Sequence, residues 1–197
     1  MSAAHQYLQP VIADWLRDCG AKTVLDLGCG NGALTNELSR SGFRMTGMDV
    51  SHTGIRIAQE QYPKIQFLQA DLDAALTNTL RKSFDAVIAV EVIEHLLLPR
   101  RLFDRAKEAL SPGGSFLLTT PYHGYFKNLA LAVTNSFDQH WHPLRDYGHI
   151  KFFSYKTLNQ LFSEQSFDVR RVRRLGRIPP LAKSLIVQGQ VKPGVGI

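Results

Sequence analysis

Leu8, Val11, Ile12, Trp15 and Leu16 recur three and four positions apart, which predicts an amphipathic helix over residues 4–18. Pro10 is expected in its tolerant first turn, and Gly20 stops it. The period then changes. Thr23, Val24, Leu25, Asp26 and Leu27 form a β-branched and apolar run that ends in Gly28, Cys29, Gly30, Asn31 and Gly32, a strand feeding a glycine turn. A helix over 33–41 follows, and the alternation repeats: a strand over 43–48 ending at Asp49, then a helix capped by Ser51 and stopped near Pro63. Next come a strand over 65–69 ending near Asp71, a weak helix over 74–80, and a strongly apolar strand over 84–90. The helix over 99–110 places Leu102, Phe103, Ala106, Ala109 and Leu110 on one face and closes at Pro112, Gly113 and Gly114, before a strand over 115–120. Apolar strands without alternation, each followed by a helix, mean a parallel sheet covered on both faces.

From 121 to 153 the pattern breaks into a stretch dense in aromatics and histidines, among them Tyr122, His123, Tyr125, Phe126, His140, Trp141, His142, Tyr147 and His149. A helix over 155–165 follows, with Ser154 as its cap and Leu158, Leu161 and Phe162 inward. Two closing strands, over 167–175 and 183–188, meet at a turn around Pro179 and Pro180. One domain over 1–197 is therefore expected, with a substrate-side insert at 121–153.

Composition narrows the class. The 197 residues, 44% of them hydrophobic, can supply one good core. Cys19 and Cys29 show neither metal-ligand spacing nor a disulfide framework, which favours a reduced, cytoplasmic setting. The start of the chain does not read as a secretory signal, and its apolar runs are too short to span a bilayer, so a soluble protein is expected. The net charge of +6 gathers largely in Arg170, Arg171, Arg173, Arg174 and Arg177, with Lys183 behind. Without interleaved aromatics this cluster does not look like a nucleic-acid surface. A solvated strand face is favoured, with peripheral contact to an anionic membrane as the alternative.

The candidate chemistry begins at the glycine turn. Glycines after a first strand let a ligand pass close to the backbone, and Asp49, some 20 residues on, is placed to accept from a ribose hydroxyl pair. A dinucleotide could use the same parts, but the spacing G-x-G-x-G, with Ala33 where a pyrophosphate turn carries its last glycine, departs from that fingerprint.

Five segments in order resemble the motif series of class I S-adenosylmethionine-dependent methyltransferases. They are 24–32, Met48-Asp49-Val50, Gln69-Ala70-Asp71-Leu72, 89–95 and 110–114. The run Glu91-Val92-Ile93-Glu94-His95 is most similar to the branch containing the ubiquinone-pathway O-methyltransferases, and the likeness weakens beyond residue 120. The resemblance implies a three-layer α/β Rossmann-like sandwich whose seven-stranded, mostly parallel sheet has its last strand antiparallel. It also implies S-adenosylmethionine as cofactor, held by Asp26, Gly28, Gly30, Asp49, Asp71, Leu72 and Glu91. Tyr7, from the first helix, is a candidate to close over the methionine end.

Methyl transfer is an in-line displacement in which the protein chiefly aligns the two partners. A hydroxyl acceptor also benefits from a general base, and the candidates are His149 first, His95 second, then His123 and His142. Glu91, Glu94 and His95, spaced i, i+3, i+4, could instead share a helical face and, with His142 or His149, hold a divalent ion. No resident metal is the favoured expectation. The expected acceptor is a small aromatic or amphipathic molecule with an oxygen nucleophile. A peptide acceptor, a non-catalytic nucleotide-binding module and an NAD-dependent oxidoreductase remain the alternatives.

Overall fold

The computed structural model describes residues 3–76, 80, 84–141, 144–146, 148–178 and 181–193. Helix α1 (Ala3–Asp18) leads into strand β1 (Thr23–Leu27), helix α2 (Ala33–Arg40) and strand β2 (Arg44–Asp49). Helix α3 (His52–Gln61), strand β3 (Gln66–Gln69) and strand β4 (Phe84–Val90) come next. A single 3-10 turn at Ile93–His95 precedes helix α4 (Pro99–Ala109) and the long strand β5 (Leu110–Pro121). Helices α5 (Tyr125–Val133), α6 (Phe137–Trp141) and α7 (Tyr155–Glu164) precede strands β6 (Phe167–Leu175) and β7 (Ser184–Val191).

The seven strands form one sheet in the order β3-β2-β1-β4-β5-β7-β6. The pairs through β5 are parallel, while β7 runs antiparallel to both neighbours. Successive side chains of a strand point to opposite faces, so each buried strand feeds two cores. On one face Val24, Ile88, Leu117 and Ile186 meet Leu8, Ile12 and Leu16 of α1 and Leu34 and Leu38 of α2. On the other, Leu25, Val87, Phe116 and Leu118 meet Leu102, Phe103 and Ala106 of α4 and Leu158, Leu161 and Phe162 of α7. Phe103, Phe116 and Phe162 fill the centre of that second layer, with centroids 4.9 to 5.9 Å apart. Strand order reverses between β1 and β4, which opens a crevice beyond their carboxyl ends.

Three local expectations need correction. Pro10 lies inside α1 rather than in its first turn. The helix expected over 74–80 is replaced by turns and irregular chain at 72–76, and the next three residues fall outside the described set. Pro112, Gly113 and Gly114 do not precede β5 but lie within it, where Gly113 takes a φ of 80° and the register against β4 shifts between Phe84 and Ala86. The insert at 121–153 contains α5 and α6. No residue of α5 is buried, whereas Trp141 of α6 stacks on Phe152 with centroids 4.6 Å apart.

Candidate cofactor and acceptor site

The crevice holds a cavity of about 800 Å³ whose wall includes Gly28, Asp49, Asp71, Leu72, Glu91 and His95. Its floor is a turn held by backbone. The amides of Gly28 and Cys29 donate to the Met48 carbonyl at 2.7 and 3.0 Å. Asp49 braces the other side, accepting from the Gly30 amide through Oδ2 and from the Ser51 amide through Oδ1, each at 2.8 Å. Gly28 and Gly30 sit at φ 84° and 56°, where a side chain is strained. A Cβ at Gly28 would stand 2.5 Å from Val92 Cγ2, whereas one at Gly32 would strike the Phe67 ring at 2.7 Å. Gly28 therefore keeps the cavity wall open, and Gly32 serves packing.

Asp26 stands behind this wall rather than on it. It is buried, and its Oδ2 accepts from Thr35 Oγ1 at 2.7 Å. Burial pushes its carboxyl up to about 7, against the pull of the Thr35 hydrogen bond, and the charge of Asp49 adds to the rise. Asp71 lines the cavity with Leu72 and fixes its own loop by accepting from the Asp73 amide at 2.9 Å.

Glu91 follows β4 in a left-handed backbone conformation, φ 57°, which is costly for a residue with a side chain and clusters at functional sites. Thr119 holds it there: its Oγ1 accepts from the Glu91 amide and donates to Oε1, both at 3.0 Å. Burial raises the Glu91 carboxyl above the usual range. The Tyr7 hydroxyl shares a 2.8 Å hydrogen bond with Ser184 Oγ, and burial followed by the nearby Glu91 charge raises it. Tyr7 thus sits beside Glu91, although it is not part of the cavity wall.

The acceptor side is built around Glu94, in the 3-10 turn. This buried side chain accepts from Thr120 Oγ1 at 3.0 Å through Oε2, while Oε1 has no hydrogen-bond partner and faces His149 Nε2 at 4.0 Å. Its backbone carbonyl accepts from the amides of Ile150 and Lys151 at 2.9 and 3.0 Å, which stitches the insert to the end of β4. Burial, reinforced by the Glu91 charge, raises the Glu94 carboxyl. The rings of His95 and His149 meet edge to face with centroids 4.9 Å apart, and His95 Nδ1 lies 3.2 Å from the Gly148 carbonyl oxygen. One donor atom from each of Glu94, His95 and His149 lies within 4.8 Å of the others, a grouping able to hold a metal ion. Glu91 is not in this group, because Glu91, Glu94 and His95 do not share one helix. His123 is buried against Phe152, at 4.9 Å between centroids, and His142 lies outside the described residues.

Thr119, Thr120 and Ser184 went unnoticed in the sequence. Two threonines closing an otherwise apolar strand at its carboxyl end were the available signal for the first two.

A family model described as a methyltransferase domain matches residues 4–172. The chain belongs to that family. Its members in this class use S-adenosylmethionine, and the open wall at Gly28 and the acid at Asp49 suit that cofactor. A ubiquinone biosynthesis O-methyltransferase of Nitrosococcus oceani is 30% identical over 120 residues, 57% of this chain and 50% of that protein. The Rickettsia canadensis protein of the same description is 23% identical over 183 residues, covering 91% of this chain and 75% of its own length. The chain thus spans half of the first relative and three quarters of the second. Among solved structures, the PH0226 protein from Pyrococcus horikoshii superposes with a TM-score of 0.72 at 21% identity, covering 94% of this chain and 88% of that one. Magnesium protoporphyrin IX methyltransferase from Synechocystis, solved with bound S-adenosylhomocysteine, gives 0.71 at 17% identity, over 94% and 82%. Both likenesses bear on the fold, which is the methyltransferase sandwich. No helix among the described residues is long and apolar enough to cross a membrane.

Proposed function

We propose that this methyltransferase domain methylates an oxygen nucleophile on a small aromatic or amphipathic acceptor, with His149 as general base. The observation that carries this reading is the approach of His149 to the orphaned Oε1 of Glu94 and to the ring of His95; its chain neighbours Gly148 and Ile150 line the cavity, as does His95, while His149 itself stands just behind that wall. The distant likeness to ubiquinone biosynthesis O-methyltransferases supports an oxygen acceptor. Bound S-adenosylmethionine would supply an electrophilic methyl group and, as its sulfur–methyl bond breaks, leave as S-adenosylhomocysteine. Asp49, Asp71 and Leu72 would hold the nucleoside end of that cofactor, while Gly28 would leave room for its chain and Glu91 and Tyr7 would bound the methionine end. His149 takes the acceptor's hydroxyl proton as the oxygen attacks, and Glu94 meets the positive charge that the imidazole gains. His95 and the Gly148 carbonyl fix the loop that presents the base.

With an oxygen acceptor and a radiolabelled methyl group, His149→Ala should slow turnover roughly 10²–10⁴-fold and leave cofactor affinity unchanged. Wild-type turnover should rise with pH through the ordinary imidazole range, and the variant should lose that dependence. His95→Ala is the control: a large loss there with His149 dispensable transfers the role. A peptide acceptor in place of a small hydroxyl compound would overturn the acceptor class.

The grouping of Glu94, His95 and His149 favours a second reading, in which a divalent ion orients the acceptor oxygen. Chelation separates the two. Activity abolished by a chelator and restored by one added divalent ion supports the ion, and activity indifferent to chelation supports the base.

A further inference from the structure

Helix α5 turns its apolar side chains outward. Tyr125, Phe126, Leu129 and Val133 are 75%, 63%, 46% and 79% exposed, and Phe126, Leu129 and Val133 form one stripe at helical spacing. The connection between β6 and β7 exposes a second apolar prong, Ile178 and Leu181. Both prongs carry cations, Lys127 on α5 and Arg177 on the connection. Lys127 of α5 donates to the Tyr122 carbonyl at 2.9 Å, and the Arg174 guanidinium lies over the Tyr122 ring, 4.9 Å from its centroid. Burial, and the neighbouring charge of Arg177 with it, depress the Lys127 ammonium, while Glu91 opposes them.

Residues 121–137 and 169–193 contain no acidic side chain and eight cations: Lys127, Arg170, Arg171, Arg173, Arg174, Arg177, Lys183 and Lys192. Among the described residues only Arg171 of this set pairs with a carboxylate, Asp18 at 2.7 Å. A second copy of the chain docking by the same face would oppose like charges, which disfavours a symmetric dimer. Two short apolar prongs carrying unpaired cations instead match an anionic interface, where each apolar group partitions independently and each cation meets a headgroup.

We infer that α5 and the β6–β7 connection dock this domain on an anionic lipid bilayer, with Phe126, Leu129, Val133 and Ile178 entering the headgroup boundary and Arg174 and Arg177 pairing with lipid phosphates. The surface lies at the carboxyl edge of the sheet, the edge that carries the cavity. The inference stands apart from the choice of base and acceptor.

Cosedimentation of the full chain with phosphatidylcholine vesicles, alone or mixed with phosphatidylglycerol, tests it directly. Binding to the mixed vesicles only, weakening as salt rises, is expected. Arg174→Gln with Arg177→Gln should weaken partition roughly tenfold to thirtyfold, since each cation near the surface is worth about fivefold. Phe126→Glu with Leu129→Glu should abolish it. Both variants should still bind S-adenosylhomocysteine, which reports folding independently of lipid. Should a variant misfold, lipid composition and salt dependence in the unaltered protein still decide. Failure to bind either vesicle, equal binding to neutral and anionic vesicles, or a concentration-dependent dimer that Phe126→Glu dissociates would each overturn the proposal.

Discussion

The two sides of the cavity are held by different means. On the cofactor side the turn after β1 is fixed by main-chain amides, with Gly28 and Cys29 on the Met48 carbonyl and Gly30 on Asp49. On the acceptor side, side chains recruit a distant loop: Glu94 gathers Thr120, His149, Ile150 and Lys151, and α5 beyond them buries no residue. A backbone cradle tolerates change in few side chains but not in chain path. A site on loops over a rigid scaffold can be re-specified without refolding the sheet. The contrast separates the side that suits a cofactor shared across a family from the side on which we propose that the acceptor binds.

The contrast breaks most readily at Gly28. Gly28→Ala places a Cβ 2.5 Å from Val92 at a φ of 84°, so Val92 or the turn must move. A loss of about 1–3 kcal/mol in stability is expected, visible as a lower thermal midpoint, together with at least a tenfold loss of S-adenosylhomocysteine affinity. Parental affinity in that variant would mean the cavity wall is not set by backbone clearance. Asp49→Ala comes next. It removes the acceptor we propose for a ribose hydroxyl pair, together with the brace on Gly30, and calorimetry should show about 1–3 kcal/mol less cofactor binding. A variant that binds as tightly as the parent would remove Asp49 from the site. The smallest effect sharpens the other side: Phe126→Ala with Leu129→Ala should shift stability by no more than about 0.5 kcal/mol, because neither side chain is buried. A large loss on chemical denaturation would show that α5 packs against something essential to the fold.

The same difference governs what the residues disclose in one dimension. The glycine turn, Asp49 and the end of β4 act within short local segments, so strand, turn and acid are readable as a string. All seven strands were anticipated for that reason, including the antiparallel one implied by family likeness. Helix α5 escaped because its apolar stripe, Phe126, Leu129 and Val133, is short, faces outward and lies in a stretch crowded with aromatics and histidines. The start of β5 escaped because Pro112, Gly113 and Gly114 read as a stop, whereas pairing with β4 carries the strand through a bulge. The meeting of Glu94 with His149, Ile150 and Lys151 joins segments more than 50 residues apart, and no local pattern encodes it. In the sequence His149 shows only a preceding glycine and surrounding aromatics, and nothing there marks the carboxyl group it faces.

The placement of β7 between β5 and β6 bears on how the chain assembles as it leaves the ribosome. Strand β6 is made first, yet its route into the sheet is through β7, so its edge stays unpaired until the chain has grown past Ser184. The same late strand brings Ser184 to Tyr7, a contact spanning 177 positions that ties α1 to β7. A nascent chain stopped before this point can build the crevice between β1 and β4 but leaves the outer edge of β5 open. Such an edge is a template for wrong pairing, and it is β7 that closes it.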